Sequence, residues 1–302
     1  MSPATLTRDR YLADNPRFLA GLFVSPAVIY IIALVGFPFV LAIIYAFTDI
    51  STGSPDLNFV GLDTFRRVLD DPVFRKALWN TFWFAILANL AVVVLATALA
   101  EVLTRDFKGK WLVRFLVLLP WVAPVSLAAI TWLWTLDSIF SPIDWVLRQV
   151  GVISENMYWL GRPQLARWSI IIVQAWRIVP LAAVIVMAGL VAIPDEINDA
   201  VAVDGAGTWR RMFQVTIPLL APIIAVAVLF GVILSISDMS LVYVLTRGGP
   251  TNSTQVLSTW AFIKGIEGGA LGQGAAVALF LLPVLVGITA VVLRLARRRE
   301  VL

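Results

Sequence analysis

Apolar residues in this chain come in long unbroken runs, without the spacing of a single helix face or the alternation of a strand. Crossing the roughly 30 Å hydrocarbon core of a bilayer takes about 20 such residues at about 1.5 Å each. Runs of that length cover Leu19–Phe47, Ala77–Ala100, Phe115–Leu136, Trp168–Ile193, Val215–Leu245 and Leu271–Leu293, which predicts six transmembrane helices. The fourth and fifth are interrupted by one charge each, Arg177 and Asp238. Pro26, Gly36, Pro38, Pro120, Pro124, Pro180, Pro218 and Pro222 fall inside the runs. They predict kinks, since neighbouring helices can satisfy the carbonyls that proline frees. No ten-residue alternating segment of a membrane barrel is found. The expected class is therefore all-α, a polytopic membrane protein with a single transmembrane domain over residues 1–302.

The first run, although preceded by Arg8, Arg10 and Arg17, far exceeds the roughly 7–15 apolar residues of a signal peptide and reads as a retained span. Composition agrees with the bilayer as solvent: 60% of residues are hydrophobic, 14% are charged and mean hydropathy is +0.90. Soluble domains are about half apolar and about a quarter charged. With the N-terminus inside, Lys and Arg are nearly twice as dense in the inner loops as in the outer ones. The loop Arg105, Lys108, Lys110, Arg114 and the tail Arg294, Arg297, Arg298, Arg299 dominate that bias and place both termini in the cytoplasm. The net charge of +4 is too small and dispersed to point to nucleic acid. Trp79, Trp111, Trp145, Trp159 and Trp168 lie near the ends of runs, as an interfacial belt against membrane lipid does. Trp132, Trp134 and Trp176 lie within the runs instead, where their faces can stack on a ligand ring. Ile143, Trp145, Val146 and Val150 recur at helical spacing between the third and fourth runs and predict a short helix at the interface.

The segment 194–217 is the most informative. Pro194 suits the start of a helix, Asp195 and Glu196 complement its dipole, and Ile197, Ala200, Val201 and Asp204 follow at i, i+3, i+4 and i+7. Asp204-Gly205 marks a sharp turn, and a second helical piece, Thr208 to Thr216, leads through Pro218 into the fifth run. Small residues at the bend (Ala200, Ala202, Ala206, Gly207) admit a close protein partner on the cytoplasmic side. An amphipathic helix lying on lipid fits the same pattern.

Here the sequence resembles the EAA loop of permeases in binding-protein-dependent ABC importers. Asp199-Ala200-Val201, Gly205 and Ile217-Pro218-Leu219 stand at the motif's positions, with Asp for Glu, Val for the second Ala and a shifted proline. Blocks similar to the sugar-permease family run through nearly the whole chain in order. They are Phe59-Val-Gly-Leu-Asp-Thr-Phe-Arg66, Ala77-Leu-Trp-Asn-Thr81, Leu118-Leu-Pro-Trp-Val-Ala-Pro124, Val173-Gln-Ala-Trp-Arg-Ile-Val-Pro180, Ala188-Gly-Leu-Val-Ala-Ile-Pro194 and Leu245-Thr-Arg-Gly-Gly-Pro250. The resemblance implies the type I ABC importer permease fold in a bacterial cytoplasmic (inner) membrane. It implies an ATPase-coupling surface at Glu196, Asp199, Ala200, Val201, Asp204, Gly205 and Ala206. It also implies partners: a second, different permease, two copies of an ATPase subunit that bind ATP and Mg, and an extracytoplasmic substrate-binding protein.

Ionisable groups inside a span are costly unless they face a cavity or a partner. Gln174, Arg177, Ser235, Ser237, Asp238 and Ser240, with the face of Trp176, offer the donors and acceptors a sugar needs. A direct pair between Arg177 and Asp238 is the alternative. The resemblance maps sugar contacts onto Gln174, Arg177, Ile178, Leu181, Gly231 and Ser235. Asn89 and Thr131 line the same cavity or bridge helices.

The resulting expectation is a permease subunit importing a sugar or sugar derivative. A secondary transporter would need more intramembrane carboxylates than Asp238. An embedded enzyme has little to work with, because the chain contains no His and no Cys, and no cofactor or metal is expected on it. No Gly-x-x-x-x-Gly-Lys-Ser/Thr loop occurs, so nucleotide hydrolysis falls to another chain.

Overall fold

The computed structural model describes residues 16–54 and 56–297. Arg8, Arg10, Arg298 and Arg299, and the side chain of Arg297, lie outside the described residues. Helix α1 (Pro16–Ala46) is followed by the short α2 (Asp63–Asp70) and by α3 (Pro72–Thr104). The third run becomes α4 (Lys110–Val122) and α5 (Val125–Thr135), after which α6 (Pro142–Gln149) leads to α7 (Pro163–Val191). Next come α8 (Asp195–Val203), α9 (Thr208–Ser237), α10 (Ser240–Thr246), α11 (Leu257–Phe262), α12 (Leu271–Leu279) and α13 (Leu281–Arg297). Among the described residues only two isolated β-bridges occur, Thr48 with Phe59 and Ser51 with Ser54.

Five helices are long and apolar enough to cross a membrane, and six if the bent pair α4 and α5 makes one crossing. The kink expected from the prolines of the third run is a full break in the helix, because the two pieces meet at 97°. Ala123, held extended at ψ 137, is the cause: the residue before proline is sterically excluded from the helical region. The fifth run is corrected. Its helix begins at Thr208 and stops at Ser237, where Asp238 turns extended (ψ 111) and accepts from the Ser240 N–H at 2.8 Å to start α10.

Pro38 and Pro218 are absorbed by one device. A π turn precedes each, at Ile32–Gly36 and Met212–Thr216, with Phe37 N–H donating to Ile32 O and Ile217 N–H to Met212 O. The wider turn makes room for the ring and keeps the helix continuous.

The core is centred on α3 and α7. Ala96, Ala100, Ala175, Ala182 and Ala183 are buried with Val92, Ile178, Val186 and Leu220, and small side chains at such crossings let backbones approach closely. In the apolar stretch of α7, 61% of residues are buried; in the apolar stretch of α1, none are. Toward the other end, α11 continues through a π turn, Ile263–Glu267, that crosses α12 backbone to backbone. A Cβ on Gly274 would lie 2.4 Å from Gly265 Cα.

Candidate functional site

The break after α9 brings Asp238 against α7. Arg177 Nη2 lies 2.8 Å from Asp238 Oδ2, with the two side chains 8% and 13% exposed. One turn back on each helix, Gln174 Nε2 donates to Ser235 Oγ at 3.4 Å, and Asn89 Nδ2 from α3 reaches the same oxygen at 3.3 Å. Ser235 donates back to Gly231 O. Asn89 Oδ1 and Arg177 Nε are buried without a hydrogen-bond partner among the described residues. A buried network with unused donors and acceptors is expensive unless something else satisfies it.

Of the residues nominated from sequence, Gln174, Arg177, Ser235 and Asp238 therefore meet. Gly231 belongs to the same cluster for steric reasons, because a Cβ there would fall 2.0 Å from Asn89 Oδ1. Ile178 is fully buried in the apolar core and lies beside Gly231. Leu181 lies one turn further along α7, half-buried. Trp176 stacks edge-on against Trp132 at 5.4 Å.

The second nominated region, 194–217, is an exposed bent segment. Pro194 sits at the N-cap of α8, Asp195 and Glu196 occupy its first turn, and no residue of α8 is buried. Asp199, Ala200, Asp204 and Gly205 are exposed, while Val201 and Ala206 are half-buried. The helix ends as the sequence predicts: Gly205 takes φ +66, Ala206 N–H donates to Val201 O and Gly205 N–H to Ala202 O. Beyond the turn Trp209 and Phe213 stack at 6.0 Å, 74% and 60% exposed, and before it Val203 is 88% exposed. Sequence reading missed that aromatic pair, although the four-residue spacing within a helix was its signal. Behind the segment Glu101 of α3 lies 3.6 Å from Arg105 and 3.9 Å from Arg211. These groups line a polar cavity of about 580 Å³ with Asp195 and Asn198.

At the opposite end the 247–256 loop is tied down by Asn80 and Thr81, which sequence reading quoted without assigning a task, and by Arg167 and Lys76, which it missed. Asn80 Nδ2 donates to both Ser253 O (3.0 Å) and Gln255 O (2.9 Å), Thr81 Oγ1 accepts from Leu257 N, and Arg167 and Lys76 donate to Ser253 O and Thr251 O. Gly248 (φ +84) leaves no space for a side chain against Gln255. Asn80→Ala takes the side-chain donor from the Gln255 carbonyl and leaves Ser253 O to Arg167 alone. It is expected to destabilise the loop by about 2–3 kcal/mol, checked by faster hydrogen exchange confined to residues 247–257. Nearby Arg247 grips Glu267 at 2.8 and 2.9 Å. The Tyr243 hydroxyl, with the guanidinium, holds that carboxyl below the usual range. The expected short helix at Pro142–Val150 is also present as α6. Its fully buried Asp144 accepts from Met157 N and Trp159 Nε1 and docks it on the following loop.

A helical bundle of membrane-crossing length, with an interior polar pair and an exposed bent segment at one end, is the architecture of a multi-pass transport subunit. Residues 93–301 match the family described as binding-protein-dependent transport system inner membrane component, and the chain belongs to that family. It is thus an inner-membrane permease subunit of the ABC transporter class, a transport component and not an enzyme. It is 30% identical over 96% of its length, and 94% of the relative's, to the sulfoquinovosyl glycerol transport system permease protein SmoG of Agrobacterium fabrum. It is 32% identical to the trehalose/maltose transport system permease protein MalF of Thermococcus litoralis, over 82% of each chain. A chain of a bacterial ABC transporter involved in import of the acidic polysaccharide alginate superposes with a TM-score of 0.81 at 20% identity, covering 95% of this chain and 98% of that one.

Proposed function

We propose that this chain is one of two different permeases in an ATP-driven importer that carries a sugar or sugar derivative into the cytoplasm. The observation that carries the reading is the 194–217 segment: a capped, bent helix pair with no buried residue in α8 and an exposed apolar edge of Val203, Trp209 and Phe213. Such an edge is costly in water and suits a protein partner, here the ATPase subunits that bind ATP and Mg. The basic bias of the loops supports cytoplasmic termini and hence a cytoplasmic position for the segment. The unburied apolar stretch of α1 supports a second permease against its surface, and a solved relative of the fold is described in complex with an oligosaccharide-bound periplasmic protein. Gln174, Arg177, Ser235 and Asp238 are the proposed sugar contacts, with Asn89 beside them.

The test is co-purification with the second permease and the ATPase, followed by reconstitution with the binding protein and a screen of sugars for stimulated ATP hydrolysis. Sugar uptake by this chain with no ATPase present would sink the reading in favour of a secondary transporter. Gly205→Val places a β-branched residue at φ +66, a conformation that costs such residues about 1–2 kcal/mol or more. With open space around Gly205, folding is expected to survive. The bend is expected to be lost, lowering uptake per ATP hydrolysed at least about tenfold. Uptake and hydrolysis measured on the same proteoliposomes check it.

A further inference from the structure

The end of α5 carries a second feature that the buried network does not use. Trp134 and Phe140 are 80% and 83% exposed on this chain. Between them in sequence lies Asp137, whose Oδ1 accepts from both Ile139 N and Phe140 N at 2.8 Å. These backbone N–H groups, Phe140 first, hold the carboxyl below its usual range, so it is ionised at neutral pH. Among the described residues Oδ2 has no hydrogen-bond donor, which leaves it available as an acceptor. Thr131 and Thr135 donate their hydroxyl protons back to Leu127 O and Thr131 O, which leaves their oxygens as acceptors as well. All five side chains line one cavity of about 730 Å³.

The chemistry of that lining is selective. A pyranose ring presents weakly positive C–H bonds on its faces, which suit the negative face of an indole or phenyl ring, and hydroxyl donors at its rim, which suit a carboxylate. Pockets of about 300–1,000 Å³ hold small ligands. An anionic sugar would meet the Asp137 charge with no cation in the lining to offset it.

We propose that Trp134, Asp137 and Phe140 form an outer subsite for a neutral hexopyranosyl ring, separate from the Arg177–Asp238 cluster, where sugar is held on its way to the interior. The inference rests on the importer reading above and on the orientation that puts the end of α5 outside. It is tested by fluorine NMR on the full transporter complex in nanodiscs, labelled with 5-fluorotryptophan, the Trp134 signal being assigned by its loss in Trp134→Phe. Titration with maltose as probe is expected to move that signal along a saturable curve. Asp137→Asn keeps an oxygen for the two amides and is expected to weaken the response about tenfold; Phe140→Leu is expected to weaken it as well. Glucuronate is expected to leave the signal in place. A Trp134 signal indifferent to maltose, or one that responds equally in Asp137→Asn, overturns the subsite. ATP-dependent uptake is followed in parallel with the screened sugars. Uptake with a silent Trp134 removes the subsite and leaves the importer standing, whereas no uptake of any sugar removes the importer reading itself.

Discussion

Arg177→Met is expected to lower the stability of the protein by about 3–5 kcal/mol, and Asp238→Leu by a similar amount, while the two together recover most of the loss. Each single change strands one charge in a low-dielectric interior, where removing a partner costs more than the pair itself contributes. The geometry makes the case strong: 2.8 Å separation and nearly complete burial of both side chains. Asp238 also caps α10 through Ser240 N, a contact that contributes about 1 kcal/mol and that Leu cannot restore, so recovery in the double variant stays incomplete. Thermal unfolding of the detergent-solubilised complex for all four combinations measures the coupling. Equal stability of Arg177→Met and the parent would refute the account. The double variant also separates two roles that the sequence leaves open. If it assembles but no longer responds to sugar, the groups serve the substrate as well as each other.

Gly274→Val is expected to be the most damaging substitution at a single glycine, costing about 3 kcal/mol or more. Overpacking of side chain against side chain costs about 1–3 kcal/mol because rotamers can yield. Here the atoms in the way are backbone: Gly265 Cα at 2.4 Å, and Ala261 O and Gly265 N at 2.8 Å. Nothing can rotate aside, so the α11 extension and α12 must separate. Gly287→Val in α13, where a Cβ meets nothing within 4 Å, is the control and should remain within about 0.5 kcal/mol of the parent. Yield of monodisperse protein and unfolding temperature read both.

The spans were legible because bilayer thickness imposes a length that no tertiary contact can override. Their interruptions were only half legible. Pro124 ends a helix at a 97° bend while Pro180 lies within α7 without ending it, and the two residues are identical in any local reading. Pro180 is buried among helix neighbours, whereas Ala123 turned extended and left the bundle path free to change direction. The stop at Asp238 had a signal in the aspartate two residues ahead of Ser240, obscured by the apolar residues on both sides. The bend at Asp204-Gly205 was readable because its cause is local. What Asn80 and Gly231 do was not, because the partners of Asn80 lie 173 and 175 residues away and the atom facing Gly231 belongs to Asn89 on another helix.

Helix α3 runs 33 residues without a break, about 50 Å at the usual rise. It carries Asn80 at one end, Asn89 in the middle and Glu101 at the other. A helix of that length moves as one body, so any displacement of α3 is shared by its contacts to Arg211, to the Ser235 hydroxyl and to the 247–256 loop. Three distant stations thus share a single rigid element.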